Sequence, residues 1–302
     1  MKFGINLPQF GAHASAAAIR QVALEAERLG CEAVWVQERL LRPTNPLQAY
    51  GGMMMPWPES YRVVFDPIET LTYAAAVTQR IRVGTSVLDA LFHPPLVLAR
   101  RLATLDQLSG GRLTVALGQG WSEDEFASVN VPLKRRGAGF EEFVLALRAV
   151  WGPDPASFAG RFYRIPESEI GPKPLQQPHP PLLAGGFTPA ALQRAARLGM
   201  GYNPVLIAFG MLEDGIRSFR EAARAAGRDA ARVSIVVRAN AMIGAAVPGE
   251  RGAMTGSLDQ VKEDVRRVAD LGVDHLFFDF YLTPQVTPDQ QLRHLEALMA
   301  AV

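Results

Sequence analysis

The chain has 302 residues, of which 48% are hydrophobic and 20% charged, and its 31 basic and 30 acidic residues leave a net charge of +1. This hydrophobic fraction excludes intrinsic disorder, and a near-neutral charge argues against a nucleic-acid partner. The one cysteine, Cys31, cannot form an internal disulfide, and no thiol cluster indicates a metal site.

No targeting signal or membrane-spanning segment is predicted. Residues 1–8 are too short for the apolar core of a secretory signal, and they lead directly into helix-forming residues. No window approaches the ~18 uninterrupted apolar residues of a transmembrane helix. We therefore expect a cytoplasmic protein with no membrane partner.

Short β-branched runs alternate with longer amphipathic stretches along the chain, which is typical of a parallel sheet with crossover helices. The predicted strands are residues 2–7, 33–37, 81–87, 113–117, 181–184, 200–205, 233–243 and 275–280. The predicted helices are residues 15–29, 68–79, 95–108, 139–150, 189–198, 212–226, 258–271 and 288–300.

These eight pairs predict an α/β fold, a (β/α)8 TIM barrel formed by a single domain of residues 1–302. An open doubly wound sheet is disfavoured because no Gly-rich phosphate turn follows the first strand. Two insertions account for the extra length: residues 40–66 after strand 2, and residues 152–180 after the fourth helix. The second insertion is too rich in Pro and Gly to predict regular structure.

The active site of such a barrel lies on the loops that follow the strands. Strand 2 ends in Glu38 and Arg39, which either fix a polar ligand at the mouth or pair with each other on the rim. The insertion that follows is long and rich in Met and aromatic residues, which favours a lid over a pocket. Outer packing or a subunit contact is the alternative. The residues concerned are Tyr50, Met53, Met54, Met55, Trp57, Tyr61 and Phe65.

Small residues follow strands 3, 4 and 5. They are Gly84, Thr85, Ser86 and Val87, then Gly118 and Gly120, then Gly185 and Gly186. The first set lets a flat ligand approach the backbone, and the second leaves room for a ring system with Trp121 as a stacking wall. The third precedes a helix whose N–H groups would hold an anion, although an ordinary tight turn explains it equally well.

The five histidines fall in separate segments, and no HxH, HExxH or GxSxG motif is present. We therefore predict no metal site, and a metal-dependent barrel hydrolase lacks its ligands. Asp279 on the last strand is interpreted as a polar residue of the barrel interior.

Several motifs occur in the order found in the bacterial luciferase-like monooxygenase superfamily. They are residues 102–112 (LATLDQLSGGR), 115–121 (VALGQGW), Arg135, Arg136, Glu142, and residues 160–163 (GRFY), 177–181 (QPHPP) and 195–202 (AARLGMGY). The chain resembles this family over approximately residues 1–282. The start of strand 2, residues 84–87 and the long first insertion are most similar to its F420-dependent branch.

The resemblance implies a barrel that holds F420, or alternatively FMN, with the ring in its mouth. It implies a cis peptide between Ser86 and Val87 behind the ring. It also implies that Gly118, Gly120 and Trp121 lie beside the pyrimidine end and the substrate. Gly185 and Gly186 match a segment near the cofactor tail.

Glu38 and Arg39, the predicted catalytic residues, stand where several deazaflavin enzymes have Asp and His. Arginine stays protonated and cannot shuttle a proton as histidine does, so sugar-phosphate oxidation is disfavoured. Arg39 is expected instead to orient the cofactor or an electron-poor substrate by hydrogen bonding.

The leading hypothesis is F420-dependent hydride transfer to or from a small organic substrate. The alternatives are an FMN-dependent monooxygenase served by a separate flavin reductase and a non-catalytic flavin-binding homologue. The resemblance also implies a homodimer. The apolar helices after strands 2 and 3 would supply the contact, although the same residues would equally serve the outer packing of the barrel.

Overall fold

A computed structural model describes residues 1–48 and 54–302 and confirms the predicted barrel. Its parallel strands are β1 (Lys2–Asn6), β2 (Ala33–Val36), β3 (Arg82–Thr85), β4 (Leu113–Gly118), β5 (Leu182–Ala184), β6 (Gly201–Tyr202, continued by Val205–Leu206), β7 (Val236–Asn240) and β8 (His275–Asp279). Each strand pairs in parallel with the next, and β8 pairs with β1. A bridge between Tyr202 and Ile235 completes the ring of strands.

The helices pack around these strands. They are α1 (Ala16–Arg28), α2 (Pro67–Val77), α3 (Pro95–Leu108), α4 (Glu123–Ser128), α5 (Arg136–Trp151), α6 (Pro189–Arg197), α7 (Phe209–Ala225), α8 (Leu258–Asp270) and α9 (Pro288–Met299). Local sequence explains several of their starts, because Pro occupies the first turn of α2, α3, α6 and α9 and Ser257 forms a capping box with Gln260 in α8. In the part of the chain that the structure describes, no helix is long and apolar enough to cross a membrane.

The barrel interior has its own hydrophobic cluster, separate from the core between strands and helices. Its members are Ala33, Trp35, Ala116, Leu183, Val236 and Phe277. Trp35 stacks on Phe277 with 4.8 Å between ring centroids. Gly84 makes room for this stack, since a Cβ there would lie 2.5 Å from the Trp35 ring. The large Trp35 side chain therefore depends on a small neighbour on β3.

The second insertion differs from the prediction, because residues 152–180 contain an antiparallel hairpin of Ala156–Ala159 and Arg164–Ser168. Its turn is held from outside: the Glu142 carboxylate on α5 accepts the backbone N–H groups of Arg161, Phe162 and Tyr163 at 3.0, 2.6 and 2.8 Å. The expectation of irregular structure was wrong because this stabilising partner is distant in sequence.

Other differences are local. Strand 6 is interrupted at Asn203 and Pro204, where proline offers no N–H for a ladder. Strand 7 ends at Asn240, and Met242–Ile243 pairs instead with Thr255–Gly256. Helix α4 was not predicted, because six residues are too few to show helical periodicity.

The first insertion contains a short antiparallel pair, Leu47–Gln48 with Met54–Met55, and a 3-10 turn at Glu59–Arg62. The predicted lid residues Tyr50 and Met53 lie outside the described residues.

Candidate functional site

The inward-facing position at the carboxyl end of every barrel strand is polar or glycine. Side chains alternate between the two faces of a strand, so residues two apart point the same way. Five of these positions lie two residues after a member of the inner hydrophobic cluster, and the other three lie two residues after a glycine that packs against Trp35 or Leu183. In strand order these residues, called here the mouth layer, are Asn6, Gln37, Ser86, Gly118, Gly185, Asn203, Arg238 and Asp279.

Hydrogen bonds join five polar members of the mouth layer, Gln37, Ser86, Asn203, Arg238 and Asp279. Asp279 Oδ2 lies 2.8 Å from Arg238 Nη2 and accepts a hydrogen bond from Gln37 Nε2 at 3.1 Å. Ser86 Oγ donates to Asn203 Oδ1 at 2.7 Å. Burial raises the pKa of the Asp279 carboxyl, and the Arg238 guanidinium opposes that rise. Asp279 is thus the polar interior residue that the sequence predicts, paired with an arginine that sequence reasoning missed.

Several polar atoms near this layer are buried and have no hydrogen-bond partner among the described residues. They are Asn6 Oδ1, Ser60 Oγ, Arg238 Nε and Asn240 Oδ1. An unsatisfied buried polar group costs ~1–3 kcal/mol, and most such groups in proteins are paired. The mouth therefore offers donors and acceptors that suit a ligand.

The peptide bond between Ser86 and Val87 is cis, as the resemblance implies. The Val87 side chain packs between the ends of β4 and β5: a Cβ on Gly118 would lie 2.5 Å from its Cγ2, and one on Gly185 would lie 3.1 Å from its Cγ1. The space that these two glycines leave is therefore filled by Val87 and, at Gly118, also by Asp89 Oδ1. This side of the mouth presents Val87 and strand-end backbone to a ligand.

Gly120 makes room for the side chain of Phe126. It has a φ of 72°, which favours glycine, and a Cβ there would lie 2.6 Å from the Phe126 ring. Gly186, with a φ of 148°, stands at the entrance to α6, where its nearest neighbour is Ala191. Gly186 therefore joins the end of β5 to the N-terminus of α6, and its place near a cofactor tail stays a prediction.

Glu38 is buried, and both of its carboxylate oxygens are engaged. Oε2 accepts the backbone N–H of Asp89 at 2.7 Å, and Oε1 lies 2.8 Å from His93 Nε2. The side chain of Glu38 is 2% exposed and that of His93 is 16% exposed. The structure therefore places a histidine against Glu38 from the loop after β3, although the neighbouring position 39 is arginine.

Arg39 is held by one hydrogen bond to the backbone and by two buried carboxylates. Its Nε donates to the Glu38 carbonyl at 2.8 Å, while Nη2 lies 3.2 Å from Asp89 Oδ2 and Nη1 lies 2.8 Å from Glu125 Oε2. Its guanidinium carbon lies 5.0 Å from the centroid of the Trp121 ring. Arg39 thus joins the loops after β2, β3 and β4 beneath Trp121.

The carboxylates around Arg39 have perturbed acidities. Burial raises the pKa of Asp89 to about 7, against the attraction of Arg39, and burial likewise raises the pKa of Glu125. Burial lowers the pKa of the Arg39 guanidinium, but Asp89 and Glu125 more than offset this and leave it above its ordinary value. This cluster therefore gains or loses a proton near neutral pH at Asp89 while Arg39 stays charged.

Four stacked or tilted rings cross the mouth, and they are called here the aromatic row: Trp121, Trp57, Tyr61 and Tyr281. Successive ring centroids are 5.3, 6.1 and 5.6 Å apart. The Arg39 guanidinium lies over one end of the row, and the Arg238 guanidinium lies over the other at 5.1 Å from the Tyr281 ring. Each arginine is itself fixed by buried carboxylates.

The aromatic row places part of the first insertion over the mouth, as the lid interpretation predicts. Trp57 and Tyr61 come from the insertion, and they meet rings from the loops after β4 and β8. Trp57 Nε1 donates to the Asn45 carbonyl at 3.0 Å, which fixes the ring within its own segment. Met54 remains exposed, so it does not cover the mouth.

A cavity lies between the loops that follow β1 and β8. Its lining includes Asn6 and Asp279 of the mouth layer, the rings of Phe10 and Tyr281, and Ser60 of the insertion. It contains none of the sequence-predicted site residues.

The structure thus joins Glu38, Arg39 and Trp121 into one cluster and Ser86, Val87, Gly118 and Gly185 into another. Sequence reasoning missed Asp89, His93, Glu125, Asn203 and Arg238. Counting every second residue along each strand from the interior positions would have identified Asn203 and Arg238, because a polar side chain inside a buried strand needs a partner. The contacts of the first three join separate loops and leave no local signal.

Comparisons with known proteins agree with this architecture. Residues 1–247 match the model of a family described as luciferase-like monooxygenase. The FMNH2-dependent dimethylsulfone monooxygenase of Pseudomonas putida is 37% identical over 44% of this chain and 38% of its own length. The F420-dependent glucose-6-phosphate dehydrogenase of Amycolatopsis mediterranei is 31% identical over 60% of this chain and 51% of its own length.

A solved monooxygenase from Streptomyces bottropensis is similar over the full chain. It is 25% identical, covers 100% of this chain and 98% of its own, and has a TM-score of 0.80. The matched stretches of the two curated relatives named above, in contrast, cover 38% and 51% of those proteins' lengths, so this chain spans about half of them or less.

Proposed function

Because the chain belongs to the luciferase-like monooxygenase family, we propose that it is an F420-dependent oxidoreductase that moves hydride to or from a small organic substrate. The observation that carries the proposal is a barrel mouth lined on all eight strands by polar residues or glycine and covered by the aromatic row. Such a mouth suits a flat, polar-edged ring enclosed away from water.

The residues at the mouth fit the cofactor. The side formed by Val87, Gly118 and Gly185 carries no long side chain, so a planar ring can approach the strand ends. Gly186 leads toward the N-terminus of the nine-residue α6, where negative charge is favoured and a phosphate would bind. Arg136, whose Nη1 lies 3.4 Å from the Gly120 carbonyl, adds a positive charge on the same side.

When bound, F420 supplies the two-electron hydride chemistry, and the protein supplies orientation, proton transfer and exclusion of water. The aromatic row provides that exclusion. Arg39 and Glu125 act as positioning residues, because their ion pair holds the loop beneath Trp121.

We assign proton transfer to the pair formed by His93 and Glu38. A histidine that is partly exposed and hydrogen-bonded to a buried carboxylate is a typical general acid or base. In this scheme Glu38 orients the imidazole, and the arginine at position 39 no longer argues against acid–base chemistry.

Anaerobic titration of the purified protein with F420 and with FMN tests the cofactor proposal. We expect saturable binding of F420, weaker binding of FMN, and reduction or oxidation of bound F420 when a substrate is supplied. Tight FMN binding without affinity for F420 would overturn the proposal.

An FMN-dependent monooxygenase is the second candidate, and the similarity to the Pseudomonas putida enzyme favours it. That activity would require reduced flavin from a separate reductase as a partner. Oxygen consumption with reduced FMN and a candidate substrate distinguishes it from F420-dependent hydride transfer, which consumes no oxygen.

We propose a homodimer in the cytoplasm, with α2 and α3 at the contact. Tyr73 on α2 and Val97 on α3 are exposed hydrophobic residues in support of such a contact. Light scattering of the purified protein tests the dimer.

A further inference from the structure

The carboxyl group of Asp89 supports Trp121 at two points, through the backbone before it and through the face of its ring. Oδ1 accepts the backbone N–H of Gly120 at 3.0 Å, and Gly120 directly precedes Trp121 in the chain. Oδ2 accepts a hydrogen bond from Arg39 Nη2 at 3.2 Å, and the Arg39 guanidinium lies 5.0 Å from the centroid of the Trp121 ring. One side chain therefore holds both the turn that carries Trp121 and the cation that packs against it.

Arg39 depends on Asp89 more than on its other neighbours for its orientation. Glu125 Oε2 lies 2.8 Å from Arg39 Nη1, but neither of these atoms has a hydrogen-bond partner among the described residues. The contact of Arg39 Nε is with the backbone carbonyl of Glu38, which carries no charge. Asp89 is thus the anion that both pairs with the guanidinium and forms a hydrogen bond with it.

Trp121 is the exposed end of the aromatic row. Its residue is 41% exposed, whereas its stacking partner Trp57 is 6% exposed. The ring of Trp121 stacks on Trp57 and lies over Arg39. Its position over the mouth therefore depends on that stack and on the groups that Asp89 holds.

Both contacts of Asp89 weaken when its carboxylate takes up a proton. An ionised carboxylate only accepts hydrogen bonds, whereas the neutral acid has an O–H that is itself a donor. The ion pair with Arg39 is then lost as well. Burial raises the pKa of Asp89 to about 7, and the attraction of Arg39 and the Gly120 N–H oppose that rise. The contacts that support Trp121 are therefore the ones that favour the charged carboxylate.

Several other charged or titratable groups surround Asp89, and none of them replaces its role. The Glu38 and Glu125 carboxylates favour the protonated form of Asp89, and Arg39 opposes it. His93 contacts Glu38, so its charge reaches Trp121 only indirectly. The groups that face this cluster are Glu38 and Arg39 from the loop after β2, His93 from the loop after β3, Glu125 from α4, Tyr61 from the first insertion and Arg136 from α5.

We propose that Asp89 is a positioning residue for the reaction at the mouth: its ionised carboxylate holds Trp121 in the aromatic row, and its protonation releases Trp121 to solvent. The mouth is covered when Asp89 is charged and more open when Asp89 is neutral. The inference rests on the proposed function, because it treats the aromatic row as the cover of an active site. It holds for either flavin-type cofactor.

Acrylamide quenching of tryptophan fluorescence between about pH 5.5 and pH 8.5 tests the inference on the full chain. The signal reports mainly on Trp121, because the other three tryptophans, Trp35, Trp57 and Trp151, are buried. Trp121→Phe gives the contribution of those three. For the wild type we expect the quenching constant to rise about twofold as pH falls through about 7, because protonation shifts the population toward the open form.

Two variants identify the group that titrates. Asp89→Asn has nearly the same shape and keeps the backbone N–H that Glu38 accepts, but it carries no charge. We therefore expect a high quenching constant at every pH. Asp66→Asn is the matched control, because burial also raises the pKa of this carboxyl, to about 6, while its partners are Glu69 and Arg101. Asparagine still caps α2, so we expect the wild-type pH profile.

A wild-type quenching constant that does not change with pH would overturn the inference, and that result requires no variant to fold. A pH transition that survives in Asp89→Asn would also overturn it, and the loss of that transition in His93→Asn would then assign the titration to the histidine. Failure of the protein to bind F420 would contradict the proposed function instead. It would leave the quenching result intact, because quenching is measured without cofactor.

Discussion

At the scale of single residues, position 39 decides how the site is interpreted. From the sequence, arginine in place of histidine removes the proton shuttle. In the structure His93, from the loop after β3, contacts Glu38, and Arg39 forms ion pairs with Asp89 and Glu125. The sequence motif at position 39 does not show this, because Arg39 and His93 lie more than 50 residues apart in the chain.

Replacing His93 by Asn is expected to lower kcat for hydride transfer by about 10²- to 10⁴-fold, the range typical of a lost general acid or base. Stopped-flow absorbance of the bound cofactor provides the rate, and its pH profile is expected to lose one limb. Affinity for F420 is expected to stay within about twofold.

His294→Asn on α9 is the matched control for this experiment and is expected to leave the rate unchanged. An unaltered pH profile in His93→Asn would show that the histidine is structural only.

The free energy of unfolding is expected to depend on pH through Asp89. Its pKa of about 7 in the folded protein lies above its ordinary value of 3.8, so between about pH 4 and pH 7 the folded state retains a proton that the unfolded chain has released. Through this group the free energy of unfolding therefore falls as pH rises across that window. Asp89→Asn removes this contribution.

Calorimetric melting of both proteins between about pH 5 and pH 8 measures the effect. We expect the Tm of wild type relative to Asp89→Asn to decrease with rising pH and to level off above about pH 7. A difference in Tm that is independent of pH contradicts the assignment.

At the scale of helices and strands, the sequence predicts those elements whose ends are set by residues inside them or next to them. Helix α3 begins at Pro95 and ends at Leu108, as predicted, because a first-turn proline and a closing pair of glycines bound it. The hairpin after α5 was not predicted, because Glu142 holds its turn from another element. Helix α4 has Ser122 as its N-cap and an acidic first turn, but six residues are too few for these signals to predict a helix.

Gly160→Ala is expected to destabilise the hairpin, since a Cβ there would lie 2.1 Å from Glu142 Oε1. Displacing that carboxylate frees the turn N–H groups, and the free energy of unfolding is expected to fall by ~1–3 kcal/mol. Urea denaturation provides the measurement.

Gly244→Ala is the control for Gly160→Ala, because an added Cβ there meets nothing within 4 Å. Equal stability of the two variants would contradict the role given to Glu142.

At the scale of the whole molecule, the aromatic row connects the insertion to the loops after β4 and β8. The sequence predicts that the insertion forms a lid, since a long segment rich in Met and aromatic residues has few other uses. It does not predict the partners, because Trp121 and Tyr281 meet Trp57 and Tyr61 only after the barrel brings three loops to one mouth.

Trp57→Ala is expected to break the aromatic row while leaving the barrel folded. Trp121 loses its stacking partner, so quenching of its fluorescence by acrylamide is expected to increase about twofold or more. Trp57→Phe preserves a ring at this position and is expected to stay close to wild type. Unchanged quenching in Trp57→Ala would show that the row does not cover the mouth in solution.

The central claim is that the barrel mouth holds a deazaflavin beneath the aromatic row, and the crystal structure of the F420 complex tests it most directly. We predict ring density in the barrel mouth beside Val87, Gly118 and Gly185. Density outside the mouth, or no F420 density in crystals grown at saturating F420, would contradict the account.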